Sequence, residues 1–265
     1  MRPLPNLIPP LVAHLHDHSP LTAELPPLQE QELEVGEALC EVMASIHRRG
    51  WCEGTGGNFS AVLARSPLAL LMAPSGVDKG AVTPEHLIVV DGEGRMIRGQ
   101  GQPSAETRLH LAIIETTGAG AVLHTHSQAA TLLSRLRYPL DEPQRTRPDE
   151  IGDGLKNGDW LRGHLRLEGL EMLKGLEGIR THTSYIAIPI LANSQEMELL
   201  SNAAQPFLPS APHGLLIAGH GLYAWGASLT QACRHLEILE FLLEQYWRQL
   251  LLEAALNQAH PSAFS

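Results

Sequence analysis

The sequence predicts an α/β fold in which a mixed sheet is covered by helices. Two observations carry this expectation. Short apolar runs at 59–64, 68–72 and 87–90 are separated by hairpin-length turns. Segments with apolar residues at helical spacing stand among them, at 28–49, 106–116 and 228–256.

The elements follow in order. Residues 1–27 hold Pro3, Pro5, Pro9, Pro10 and Pro20, and read as an extended N-terminal arm before a domain at 28–265. His14, His16 and His18 alternate within this arm, but no apolar strand supports them, so they are read as solvated. The first helix repeats Val35, Leu39, Val42, Met43 and Ile46 on one side, and Gly50 stops it. Strands are expected at 59–64 and 68–72, then at 87–90, with a short partner at Met96 and Ile97. A helix at 106–116 buries Leu109, Ile113 and Ile114 before Gly118. A strand at 119–125 and a helix to about 136 come next. Residues 138–163 are polar and read as an insertion loop. A helix is expected at 165–176, although Gly169 and Gly175 weaken it. The run 185–191 reads as a strand, placed at an edge because of Pro189. A helix at 195–205, strands at 215–218 and 222–225, and a long helix capped by Ser228 complete the chain.

Composition limits the function. Hydrophobic residues at 43% suffice for a sizeable core in 265 residues. A net charge of −10 argues against a nucleic-acid surface, though a local anion site is compatible with it. Cys40, Cys52 and Cys233 are scattered and odd in number, which points to a reducing, cytoplasmic setting. There is no basic-then-apolar leader pattern and no apolar stretch of about 20 residues, so no membrane partner is expected.

The chemistry concentrates at 121–127, Ala-Val-Leu-His-Thr-His-Ser. On a strand, residues i and i+2 share a face, so His124 and His126 can grip one metal ion. With 14 histidines in the chain, a chance pair is the competing reading. A third candidate, His220, lies between glycines at the end of another apolar run; His213 and His182 are alternatives. An ion held by neutral imidazoles polarises a carbonyl oxygen and acidifies the neighbouring carbon. A carboxylate nearby could then take a proton, and Glu106 and Glu171 are the candidates, each also readable as a solvated helix residue. Three loops are friendly to anions: 54–58, ending in Asn58; Ser75-Gly76 with Lys79; and Ser104 before a helix start. Together with a metal triad they point to a phosphorylated carbonyl compound.

The motifs Gly-Gly-Asn-Phe-Ser (56–60), Pro-Ser-Gly (74–76), Pro-Ser-Ala-Glu-Thr (103–107), His-Thr-His-Ser (124–127) and Gly-His-Gly (219–221) resemble the class II aldolase family. That family includes sugar-phosphate aldolases, epimerases and non-catalytic adducin-type modules. The segments 171–176 and 220–226 look like its dehydratase branch, which acts on a phosphorylated ketose in methionine salvage. The resemblance implies a three-layer α/β/α fold with a central mixed, largely antiparallel sheet. It implies one zinc ion on His124, His126 and His220, and a homotetramer with sites near subunit interfaces. It assigns Glu171 as acid/base, Glu106 as the carboxylate beside the metal, and Asn58, Ser75, Gly76 and Ser104 as phosphate contacts, with Lys79 as a further candidate. The aldolase or 4-epimerase activity and the adducin-type module stand as the alternatives.

Overall fold

The computed structural model describes residues 30–136 and 160–259. In chain order the elements are α1 (Glu30–Arg48), β1 (Asn58–Arg65), β2 (Leu68–Met72), β3 (Ile88–Asp91), β4 (Met96–Arg98), α2 (Thr107–Thr117), β5 (Ala121–Thr125) and α3 (Gln128–Leu133). Then follow β6 (Leu161–Glu168), β7 (Tyr185–Leu191), α4 (Met197–Ala204), β8 (Gly214–Ile217), β9 (Gly221–Gly226) and α5 (Leu229–Ala259). Short 3-10 segments lie at Pro84–His86, Glu171–Gly175 and Leu208–Ser210.

The nine strands among the described residues form one sheet in the order β4-β3-β2-β1-β5-β9-β8-β7-β6. Neighbours run antiparallel except β7 and β8, which are parallel. The sheet is therefore mixed and largely antiparallel, as expected. Side-chain alternation feeds two cores. Ala121 and Leu123 of β5 and Leu222 and Ala224 of β9 pack with Leu39, Met43, Leu133 and Leu239, from α1, α3 and α5. Val122, Tyr223 and Trp225 face the opposite way, onto Leu109, Ile113 and Leu200 of α2 and α4. Helices thus cover both faces, giving three layers. Each fully buried Leu or Ile contributes about 1.5–3 kcal/mol, so both faces hold the central strands firmly.

Three expectations need correction. The helix expected at 165–176 is instead strand β6, followed by the 3-10 segment. Leu165 and Leu167 are buried and Arg166 and Glu168 exposed, a period of two that belongs to a strand. The insertion placed at 138–163 therefore ends earlier, because β6 already begins at Leu161; residues 137–159 and the arm at 1–27 lie outside the described residues. Finally, β7 is not an edge. It sits between β8 and β6, but its pairing with β8 involves Ile190 and Leu191, so Pro189 is ladder-paired only toward β6.

Candidate metal centre and its cavity

Pairing between β5 and β9 assembles the site. Thr125 lies opposite Leu222, so the residues just past the end of β5 meet those just before β9. His124 leaves β5 itself, His126 follows it, and His220 closes the tight turn from β8, its N–H bonded to Ile217 O at 3.0 Å. The Nε2 atom of His124 is 2.8 Å from Nε2 of His126 and 3.4 Å from Nε2 of His220. Glu106, at the start of α2, joins them. Its Oε1 is 2.8 Å from His220 Nε2, and its Oε2 is 3.7 Å from His124 Nε2. The Asn58 amide donates to the same carboxylate.

Several observations fit a divalent ion here. Nδ1 of the fully buried His124 is 2.9 Å from Leu222 O, to which it donates, so the Nε2 lone pair faces the centre. Burial, with His126 and His220 adding to it, holds His124 well below the usual histidine pKa, in the neutral form that can ligate. His126 is likewise lowered, first by burial. Burial opposes ionisation of Glu106, but the His220 hydrogen bond and the nearby imidazoles prevail, holding it at about 2. Three imidazole nitrogens and one carboxylate, with donor atoms within 4.8 Å of one another, form a donor set suited to zinc. The backbone around it packs closely enough to require glycine. A Cβ on Gly221 would lie 2.0 Å from Thr125 O, and one on Gly56 would lie 2.8 Å from His126 Nδ1.

The centre opens into a cavity of about 540 Å³ lined by Ser75, Ser104, Ala105, Glu106, His126 and His220, with Asn193, Ser194 and Gln195 opposite. Ser75 and Ser104 thus stand where a phosphoester could enter. Gly76 is exposed beside Ser75. Asn58 is buried and gives its amide to Glu106. Lys79 is also buried, and its ammonium donates to Thr55 O at 3.1 Å and Val77 O at 3.0 Å, which ties two of the anion-friendly loops together. Neither Asn58 nor Lys79 is among the described residues lining the cavity.

Glu171 is placed apart. It opens the 3-10 segment, is exposed, pairs with Lys174, and lies 3.9 Å from His182. It lines a separate cavity with Trp51, Phe241 and Trp247, which shares no described lining residue with the first. Sequence reasoning missed Asn193, whose buried Oδ1 lacks a partner, and Tyr223, whose ring stacks on His124 at 3.9 Å. The polar run 193–195 straight after an apolar strand was the available signal for the first. Tyr223 carried no signal beyond an apolar strand. Of the alternative ligands, His182 and His213 are not part of this group.

Fold and site together define a three-layer α/β protein with an imidazole–carboxylate centre beside a polar cavity. The chain belongs to the family described as class II aldolase and adducin N-terminal domain, whose model matches residues 37–247. It is 37% identical over 214 residues to a methylthioribulose-1-phosphate dehydratase of Sorangium cellulosum, covering 79% of this chain and 90% of that one. It is 38% identical over 221 residues to the enzyme of that name from Methylococcus capsulatus, covering 82% and 95%. Among solved structures, L-fuculose-1-phosphate aldolase from Thermus thermophilus superposes with a TM-score of 0.61 at 24% identity, over 84% of this chain and 98% of that chain. The latter likeness carries the fold.

Proposed function

We propose that the chain removes water from 5-methylthioribulose 1-phosphate, giving 2,3-diketo-5-methylthiopentyl 1-phosphate, as a cytoplasmic hydro-lyase of methionine salvage. The observation that carries this is the meeting of His124, His126, His220 and Glu106 beside the Ser75–Ser104 cavity, in a chain 37% identical to curated dehydratases. His124, His126 and His220 would hold one zinc ion. Bound there, the ion supplies Lewis acidity toward the substrate's C2 carbonyl.

The chain's own residues do the rest. Ser75, Gly76 and Ser104, with the loops that Asn58 and Lys79 brace, receive the phosphate. Glu106 is ionised at neutral pH and takes the proton from C3. The C3–H electrons form the C3–C4 double bond as the C4 hydroxyl leaves, protonated to water. The resulting enol tautomerises to the 2,3-diketone. The departing hydroxyl receives the proton that Glu106 took from C3; the second acid/base candidate is Glu171, held ionised by Lys174. Because it is exposed and opens onto a different cavity from Glu106, it serves the centre of a neighbouring subunit in a homotetramer.

Incubation of the purified protein with 5-methylthioribulose 1-phosphate tests the assignment. Dehydration leaves the carbon chain whole and lighter by one water. A three-carbon phosphate product would instead mean aldol cleavage and would overturn it.

A further inference from the structure

A second group of potential ligands collects at the far end of β9. Glu177 follows the 3-10 segment, His213 immediately precedes β8, and His235 lies in α5. Their ligand atoms all lie within 4.8 Å of one another. Trp225, which His213 and His235 both contact, is five residues along β9 from His220, about 16 Å in an extended strand. The two groups are therefore distinct.

His235 is buried, and its Nδ1 is 2.8 Å from Trp225 O. That bond places the proton on Nδ1 and leaves a lone pair on Nε2, the same arrangement that Leu222 O imposes on His124. The N–H of Glu177 donates to this Nε2 at 3.4 Å, a long bond that an ion would displace. The His213 ring stacks on His235 with centroids 4.1 Å apart. Its backbone has φ +57°, a region that non-glycine residues avoid. Two bonds hold it there: His213 N–H donates to Ala211 O at 2.8 Å, and Trp225 N–H donates to His213 O at 3.2 Å. Backbone in such a region persists where the surroundings enforce it, often at functional positions. Gln231 Nε2 donates to Glu177 Oε2 at 2.7 Å and orients the carboxylate. Burial keeps both imidazoles below the usual histidine pKa, in the neutral form that ligates.

We propose that Glu177, His213 and His235 hold a second divalent transition-metal ion, with zinc the best match to two imidazoles and a carboxylate. The ion pins the segment after the 3-10 turn to the sheet and to α5.

The test counts metal. Full-length protein is equilibrated with Zn²⁺, dialysed, and its zinc per chain measured by plasma mass spectrometry. Glu177→Ala and His213→Asn should each bind one equivalent fewer than the unmodified chain; Asn is chosen because it tolerates positive φ. In a His126→Ala background, Zn²⁺ should still raise the melting temperature, and adding Glu177→Ala should abolish that rise. If both single variants bind as much zinc as the unmodified chain, the stacked pair is packing alone and the proposal fails. It fails equally if Zn²⁺ does not shift the melting temperature of His126→Ala.

Discussion

The Nδ1–H of His124 is bonded to the carbonyl of Leu222 across 2.9 Å, reaching from β5 to β9. One backbone oxygen therefore sets both the tautomer and the ring orientation of the innermost histidine of the candidate centre. The centre is prearranged by the sheet, which separates variants that empty it from variants that leave it filled but inactive.

Replacing Glu106 with Gln keeps the shape and removes the carboxylate proposed as the base. We expect kcat to fall by about 10²–10⁴-fold. Zinc stays bound through the three imidazoles. Steady-state kinetics with metal analysis on the same sample checks this; a near-normal rate would remove Glu106 from proton transfer.

Glu171→Gln should lower kcat over a similar range, about 10²–10⁴-fold, without loss of metal or of folded structure, because the side chain is exposed. If Glu171 acts across subunits, mixing the inactive Glu106→Gln and Glu171→Gln proteins under conditions of subunit exchange restores activity. Mixed assemblies contain some centres with both carboxylates intact. Failure to complement after verified exchange argues against action in trans.

Gly56→Ala places a Cβ 2.8 Å from His126 Nδ1 and 3.1 Å from Glu53 O. The imidazole must shift, so zinc affinity should weaken by about 10–100-fold, the range typical when the support of a ligand is disturbed. Competition with a chromogenic chelator reads this directly. Unchanged affinity would show that the ring has room the geometry denies it.

Glu240 gives the stability a pH dependence. It is fully buried in α5, and burial pushes its pKa up to about 7, despite the Ser127 and Thr125 hydroxyls that bond it. The unfolded chain releases this proton near the ordinary glutamate value, while the folded one keeps it until about pH 7. The stabilising contribution is therefore complete below about pH 4.5 and is lost as pH rises toward 7. A shift of this size corresponds to roughly 3 kcal/mol. Glu240→Gln should flatten the fall in denaturant midpoint between pH 5 and pH 8. An unchanged slope would exclude Glu240 as its source.

Much of this was legible in the sequence because local pattern and tertiary context agreed. The apolar run into His124 and His126 reads as a strand from its own residues, and a glycine-flanked His220 after a second run suggests its partner. Those signals survive folding because β5 and β9 are hydrogen-bonded neighbours. The segment 165–176 misleads because its five leucines, at 165, 167, 170, 173 and 176, fit a helical period as readily as a strand. Burial of Leu165 and Leu167 on one face of the sheet decides the matter, and that is a tertiary fact. The separation of Glu171 from Glu106 was equally out of reach, since it depends on where the 3-10 segment docks against α5. The buried amide oxygen of Asn193 became meaningful only once the cavity was seen.

In the order of nine strands, β5 is the middle one, with four on either side. A strand so placed cannot fray from an edge. Amide exchange at residues 121–125 should accordingly proceed only through opening of the whole domain. The loops carrying Ser75 and Ser104 lie outside the ladder, so their amides should exchange on a much faster clock than those of β5.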